Sequence, residues 1–113
     1  GLGDVYKRQR EALREVEENY AQADLTRVAQ SQGVSLSYVS AQVHRATGRT
    51  FKELLRQKRM DKAAQLLCTT ALSVQNIIVA VGYENISYFH RLFAAAYGRS
   101  PKSYRDGGAA PAS

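Results

Sequence analysis

Ser37, Ser40, Ala41 and His44 are spaced three and four apart, so a helix through them carries all four on one side. Fifty residues further on, Ser87, His90 and Arg91 occupy the matching places, with Ala94 in the fourth and Ile86 just ahead of them. Hydroxyls donate or accept, a neutral imidazole does both, and a guanidinium presents a rigid fork of donors. Such groups suit recognition by hydrogen bonding rather than bond making. An α-helix fits the major groove of B-DNA, where each base pair shows its own donor and acceptor pattern. Arg91 there suits a bidentate contact to guanine, typically ~1–3 kcal/mol of discrimination. The first set is poorer, because Ala41 offers only a methyl. The second helix is therefore expected to discriminate bases more sharply.

These side chains need helices to hold them, and the chain writes the scaffold twice. SLSYVSAQVHRATGRT (residues 35–50) overlays NISYFHRLFAAAYGRS (residues 85–100) without a gap. Ser37/Ser87, Tyr38/Tyr88, Ala46/Ala96, Gly48/Gly98 and Arg49/Arg99 are identical. Each copy reads as a short helix, a glycine turn and a second helix, which is the helix-turn-helix unit. Asp24 caps a helix from Leu25 to Gln32, with Leu25, Val28 and Ala29 apolar, and Gly33 stops it. Ser35 caps Leu36–Thr47, with Val39, Val43 and Ala46 inward. Ser73 caps Val74–Val81, and Gly82 ends it. Asn85 caps Ile86–Tyr97, with Phe89, Phe93 and Ala96 inward and Gly98 as the stop. Ser100-Pro101 opens a last short helix through Tyr104. VQNIIVAV has strand propensity, but its capping and length favour helix. The tail, residues 107–113, is expected to be disordered.

Thr50 and Glu53 form a capping box that opens the longest helix, Phe51 to about Leu67. Its inward set is Phe51, Leu54, Leu55, Ala63, Leu66 and Leu67. About seventeen residues at ~1.5 Å each make a rod of roughly 26 Å. Two reading helices must stand about one DNA turn apart, ~34 Å, to enter successive major grooves on one face. Such a rod plus the width of the units approaches that distance, and DNA bending would meet a shortfall. The expected organisation is thus all-α: residues 10–49 a first unit with a preceding helix, 50–69 the linker helix, and 70–106 a second unit.

Composition narrows the classes. The 113 residues carry 16 Lys and Arg against 10 Asp and Glu, a net charge of +6. Between residues 25 and 105 twelve basic side chains face only Glu53, Asp61 and Glu84. A surplus of that density favours a polyanion. The three acids are too scattered in sequence to suggest a catalytic pair, and no glycine-rich phosphate loop is present. One cysteine and two histidines cannot make a structural zinc site. No catalytic residue, metal or cofactor is expected. The lone Cys68 excludes an internal disulfide and is read as a small packed hydrophobe in a reducing compartment. No apolar run approaches the ~20 residues of a membrane helix.

The first nine residues, GLGDVYKRQ, lack a clear apolar period. DVYKRQ back-translates as GAT GTG TAT AAG AGA CAG, which resembles the transposon mosaic end used to fragment DNA for sequencing. Residues 1–9 are therefore expected to be translated adapter, with a domain missing upstream of Arg10. Arg10 to Tyr20 then reads as an amphipathic helix with Leu13, Val16 and Tyr20 on its apolar face.

The stretch IIVAVGYENISYFHRLFAAAYGRSPKSYR, with RMDKAAQLL before it, carries a family resemblance. The spacing of Gly82, Ser87, Phe89, Arg91, Phe93, Gly98, Pro101, Tyr104 and Arg105 resembles the DNA-binding domain of AraC/XylS-type transcription regulators, over about residues 13–105. The resemblance implies about seven helices and a monomer that docks both reading helices on one face of double-stranded DNA. It implies a bacterial, cytoplasmic (nucleoid) activator-type regulator, RNA polymerase as a partner, and an N-terminal effector or dimerisation domain. Three positions depart from the family pattern. Ile78 stands where a small residue is usual, Ala41 replaces a commonly basic reader, and Ala94 replaces a usual lysine.

Beside the reading positions, Arg49 and Arg99 follow the stopping glycines, and Lys52 and Lys102 lie in first turns. All four are phosphate candidates. For Arg49 and Arg99 the alternative is a cation favoured by a helix C-terminus. Arg56, Lys58 and Lys62 read as a solvated helix face, and Arg59 as a structural side chain. Tyr38, Tyr83, Tyr88 and Tyr104 read as core or rim. Two other functions compete: the DNA-binding part of a DNA-repair alkyltransferase, whose cysteine would lie outside this chain, and a basic helical adaptor for an acidic protein or RNA.

Overall fold

The helix signals above are local, and each is realised as hydrogen bonds to the backbone. The computed structural model describes residues 1–107. These form α1 (Leu2–Glu18), a 3-10 turn (Tyr20–Gln22), α2 (Leu25–Gln32), α3 (Leu36–Thr47), α4 (Phe51–Thr69), α5 (Val74–Ala80), α6 (Ile86–Tyr97) and α7 (Pro101–Asp106). No described residue lies in a strand, and VQNIIVAV is helical through Ala80, one residue short of its expected end. Side chains accept from the first-turn amides as expected: Asp24 from Thr26 (2.9 Å), Ser35 from Tyr38 (3.1 Å), Ser73 from Asn76 (3.0 Å), Asn85 from Tyr88 (2.9 Å) and Ser100 from Ser103 (3.1 Å). The Thr50–Glu53 box closes in both directions, at 2.9 and 3.1 Å. Hydrogen bonding from the Thr50 backbone amide, and then from the Thr50 side chain, holds the Glu53 carboxyl below its usual range.

The stops are equally local. Gly33, Gly48 and Gly98 adopt φ of 68°, 76° and 71°, a left-handed geometry that a side chain would strain. After α2 the Val34 amide reaches back to Ala29 O, and after α5 the Tyr83 amide reaches back to Ile78 O. The two units thus end their first helices with the same wrap. The linker helix runs two residues past its expected end. There the Thr69 and Thr70 hydroxyls donate to Gln65 O and Leu66 O.

The chain forms two compact units, residues 1–58 and the residues from Arg59 on, with the division inside α4. In the first unit, α1 packs against α2 and α3. Ala12, Val16, Val28, Ala29, Val39, Val43 and Phe51 make its core. In the second unit Met60, Ala63, Ala64, Leu67, Ile77, Ile78, Val81, Phe89 and Phe93 are buried. Ile78 is fully enclosed.

Several expectations need correction. α1 starts at Leu2 rather than Arg10, so the adapter-like residues are helical, and it ends at Glu18. Its buried face holds Ala12 with Val16, while Leu13 and Tyr20 are only half-buried. Ala46 and Ala96 are exposed, and Thr47 and Tyr97 are half-buried in their place. Seven residues bring a helix back to within about 20° of its starting face, so periodicity does not account for this exposure and packing decides it. Cys68 is exposed near the end of α4 rather than packed. Lys58 is not simply solvated: it pairs with Glu17 at 2.9 Å and lies 5.9 Å from the Tyr20 ring. The expected disorder of the tail falls, from residue 108 on, outside the described residues.

Candidate nucleic-acid interface

Apolar burial on one side of α3 decides what faces outward. With Val39 and Val43 sealed in the core, Ser37, Ser40, Ala41 and His44 are all exposed. They line one shallow concavity together with Arg45 and Thr50. Four of its six lining residues are the positions chosen from spacing. Arg45 was not among them, although it stands four residues beyond Ala41 and so shares its face. Arg49, on the glycine turn, and Lys52, in the first turn of α4, are exposed as well.

On α6 the enclosed rings of Phe89 and Phe93 turn Ile86, Ser87, His90 and Arg91 to solvent. The Arg91 guanidinium sits 5.8 Å from the centre of the Tyr88 ring, three residues earlier on the same helix. A cation over an aromatic face is attracted by about 0.5–1 kcal/mol at exposed sites, so the arginine is partly pre-positioned. Tyr88 is itself edge-on to Tyr83, at 6.1 Å. Beyond Arg91 the outer side holds only Ala94, Ala95 and Ala96, all exposed.

The flanking cations divide. Lys102, in the first turn of α7, is exposed. Arg99 is half-buried, and its guanidinium lies against Gly107, with one nitrogen 2.8 Å from where a Cβ would stand. That places it at the C-terminal end of α7, where the helix dipole also favours a cation. Arg105 was read only as part of a family pattern. Its guanidinium donates to Leu67 O (3.0 Å) and Thr70 O (3.2 Å), satisfying carbonyls where α4 ends. Arg59 stacks over Tyr83 at 5.1 Å, in keeping with a structural role. Tyr97 donates to Asp61 at 2.6 Å. Burial, and then that bond, push its phenol well above the ordinary range.

No group of acidic, histidine or cysteine side chains among the described residues could hold a metal ion. No described helix is long and apolar enough to cross a membrane.

A capped helix, a glycine turn and an outward-facing second helix, present twice, define the chain as a helix-turn-helix protein. A helix-turn-helix domain model matches residues 28–107. Over 94 residues the chain is 37% identical to the transcriptional activator NphR of a Rhodococcus species, covering 81% of this chain and 28% of that protein. The C-terminal domain of AraT, a response regulator from Geobacillus stearothermophilus, superposes with a TM-score of 0.76 at 32% identity, over 92% of this chain and 84% of that one. The DNA-binding domain of AdpA, solved with a target DNA, shares the fold at a TM-score of 0.78 and 23% identity, over 88% and 90% of the two chains. The chain belongs to the AraC-type helix-turn-helix family, the DNA-binding domains of transcription regulators. It spans 28% of the length of NphR, so the activity of a whole regulator is a separate question.

Proposed function

We propose that this domain binds double-stranded DNA sequence-specifically, with α3 and α6 as its reading helices in successive major grooves. One observation carries the reading. In both copies the apolar side of the second helix is sealed, and the opposite side offers exposed hydrogen-bonding groups. The base readers are Ser37, Ser40, Ala41 and His44 in the first unit, and Ile86, Ser87, His90 and Arg91 in the second. Arg49, Arg99, Lys52 and Lys102 contact phosphates, Arg99 being the half-buried member, beside Gly107. The domain works without catalysis or cofactor, joined to an effector or dimerisation domain. It acts in the cytoplasm at the bacterial nucleoid, with RNA polymerase as a further partner. The much greater length of NphR supports the joined domain. Residues 1–9 are translated adapter on this reading, and the same codons in an independent assembly of the gene would remove that part.

Selection from random duplexes is the direct test. Enrichment of a site with two short blocks about one turn apart is expected. Arg91→Ala should relax one base position in one block, by ~1–3 kcal/mol of discrimination, without unfolding the chain. Binding that ignores sequence while weakening with salt would favour the basic adaptor instead. The alkyltransferase alternative set Cys68 aside as packed within a helix, and its exposure removes that ground; upstream metal-binding cysteines in the full gene would favour that alternative.

A further inference from the structure

The dipeptide His-Arg occurs twice, as His44-Arg45 on α3 and His90-Arg91 on α6. The two do not align in the repeat. His90 matches Ser40, and Arg91 matches Ala41, so the first pair lies four residues late. Four residues are one helical turn: about 40° around the helix and about 6 Å along it. The same two side chains therefore emerge from nearly the same face, one turn further from the cap.

Resting on the DNA-reading function above, we propose that Arg45 is the specificity-determining residue of the first unit, reading a guanine in place of the arginine missing at Ala41. Three observations meet on it. Arg45 is exposed and lines the concavity with Ser37, Ser40, Ala41, His44 and Thr50. Among the described residues it makes no ion pair or hydrogen bond through its side chain. Its neighbour one turn back is a bare methyl. Helical side chains lean toward the N-terminus and cover the turn before their own Cα. That lean directs Arg45 toward Ala41, where no larger side chain obstructs it. α6 is built the other way round: Arg91 stands early, braced on Tyr88, and alanines follow where α3 has its pair.

Two blander roles make different forecasts. A phosphate contact contributes to every duplex alike and steepens the dependence on salt. A cation in the last turn of α3 offsets the helix dipole and affects stability alone. Lysine serves either role but cannot make the fork that guanine O6 and N7 accept.

The experiment is site selection from random duplexes with the wild-type chain, Arg45→Ala, Arg45→Lys and the double variant Ala41→Arg/Arg45→Ala. Circular dichroism and thermal midpoints check that each variant folds. The wild type should select guanine at one position of the first block. Arg45→Ala should lower that preference roughly ten-fold, the scale of one bidentate contact, and leave the second block unchanged. Arg45→Lys should not restore it. The double variant should recover a guanine preference at a displaced position. Uniform weakening on all duplexes with a shallower salt slope, or a lowered midpoint with the site unchanged, would overturn the assignment. A wild-type chain that selects no site at all would instead sink the DNA-reading function, before any variant is compared.

Discussion

Where α3 buries Val39 and Val43, α6 buries Phe89 and Phe93, and the surroundings of each unit follow from that exchange. The second unit fills its interior with rings. Phe89 stacks on Phe93 at 5.8 Å, and Phe93 meets Tyr97 at 4.8 Å and Tyr104 at 5.5 Å. A short α7 is enough to close that side. The first unit has no such rings on α3, and α1 supplies Ala12 and Val16 to complete its core. Two copies of one backbone plan have thus been stabilised differently: one by large aromatic side chains, the other by an added helix.

The largest test of that contrast is truncation inside each core. Phe93→Ala should cost roughly 3–5 kcal/mol in urea unfolding, because it empties a ring-sized space. Val43→Ala at the matching position should cost only about 2 kcal/mol. Equal losses would mean that the aromatic cluster is no more important than the aliphatic one. Next in size is Arg105→Ala, which strips the partners from Leu67 O and Thr70 O. About 1–3 kcal/mol is expected, with amide exchange quickening at the end of α4 and not in α2 or α3.

The caps should behave alike in the two units. Ser35→Ala and Asn85→Ala should each lose ~1 kcal/mol by thermal melting, since both accept from the amide three residues on. A large disparity would show that the copies differ in local as well as packing energetics. The smallest effect is confined to acid. Burial raises the pKa of Glu15, but the Asp24 amide, Arg27 and Asn19 outweigh it and hold the carboxyl below its ordinary 4.5. A depressed folded pKa contributes stability that is complete above the unfolded value and is lost as pH falls through the folded one. Glu15→Gln should therefore flatten the acid limb of the stability curve and lower the plateau near neutrality. An unchanged acid limb would place that pH dependence elsewhere.

How far the chain could be read in advance depended on the distance between interacting groups. Asp24, Ser35, Thr50, Ser73, Asn85 and Ser100 announced their helices because each bonds an amide two or three residues away. The glycine stops were legible for the same reason. The outward set on α3 and α6 followed from helical period once Val39, Val43, Phe89 and Phe93 were taken as buried. Alignment of the two copies does not mark Arg45, because its counterpart is Ala95. Arg99 follows a stopping glycine in sequence, and the fold leaves it half-buried with its guanidinium beside Gly107, eight residues on.

Helix type, helix limits at capped ends and the duplicated reading faces were properties of the sequence by itself, since they rest on bonds and periodicities within a few residues. Packing alone decided that Ala12 is enclosed while Leu13 is half-open, that Ala46 and Ala96 reach solvent, and that Cys68 is exposed. Packing alone also brought Lys58 to Glu17 and Arg105 to the end of α4, pairs that stand 41 and 38 residues apart. Periodicity assigns a residue to a face of its own helix. Only the neighbouring helix, with its particular side-chain volumes, determines how much of that face is covered.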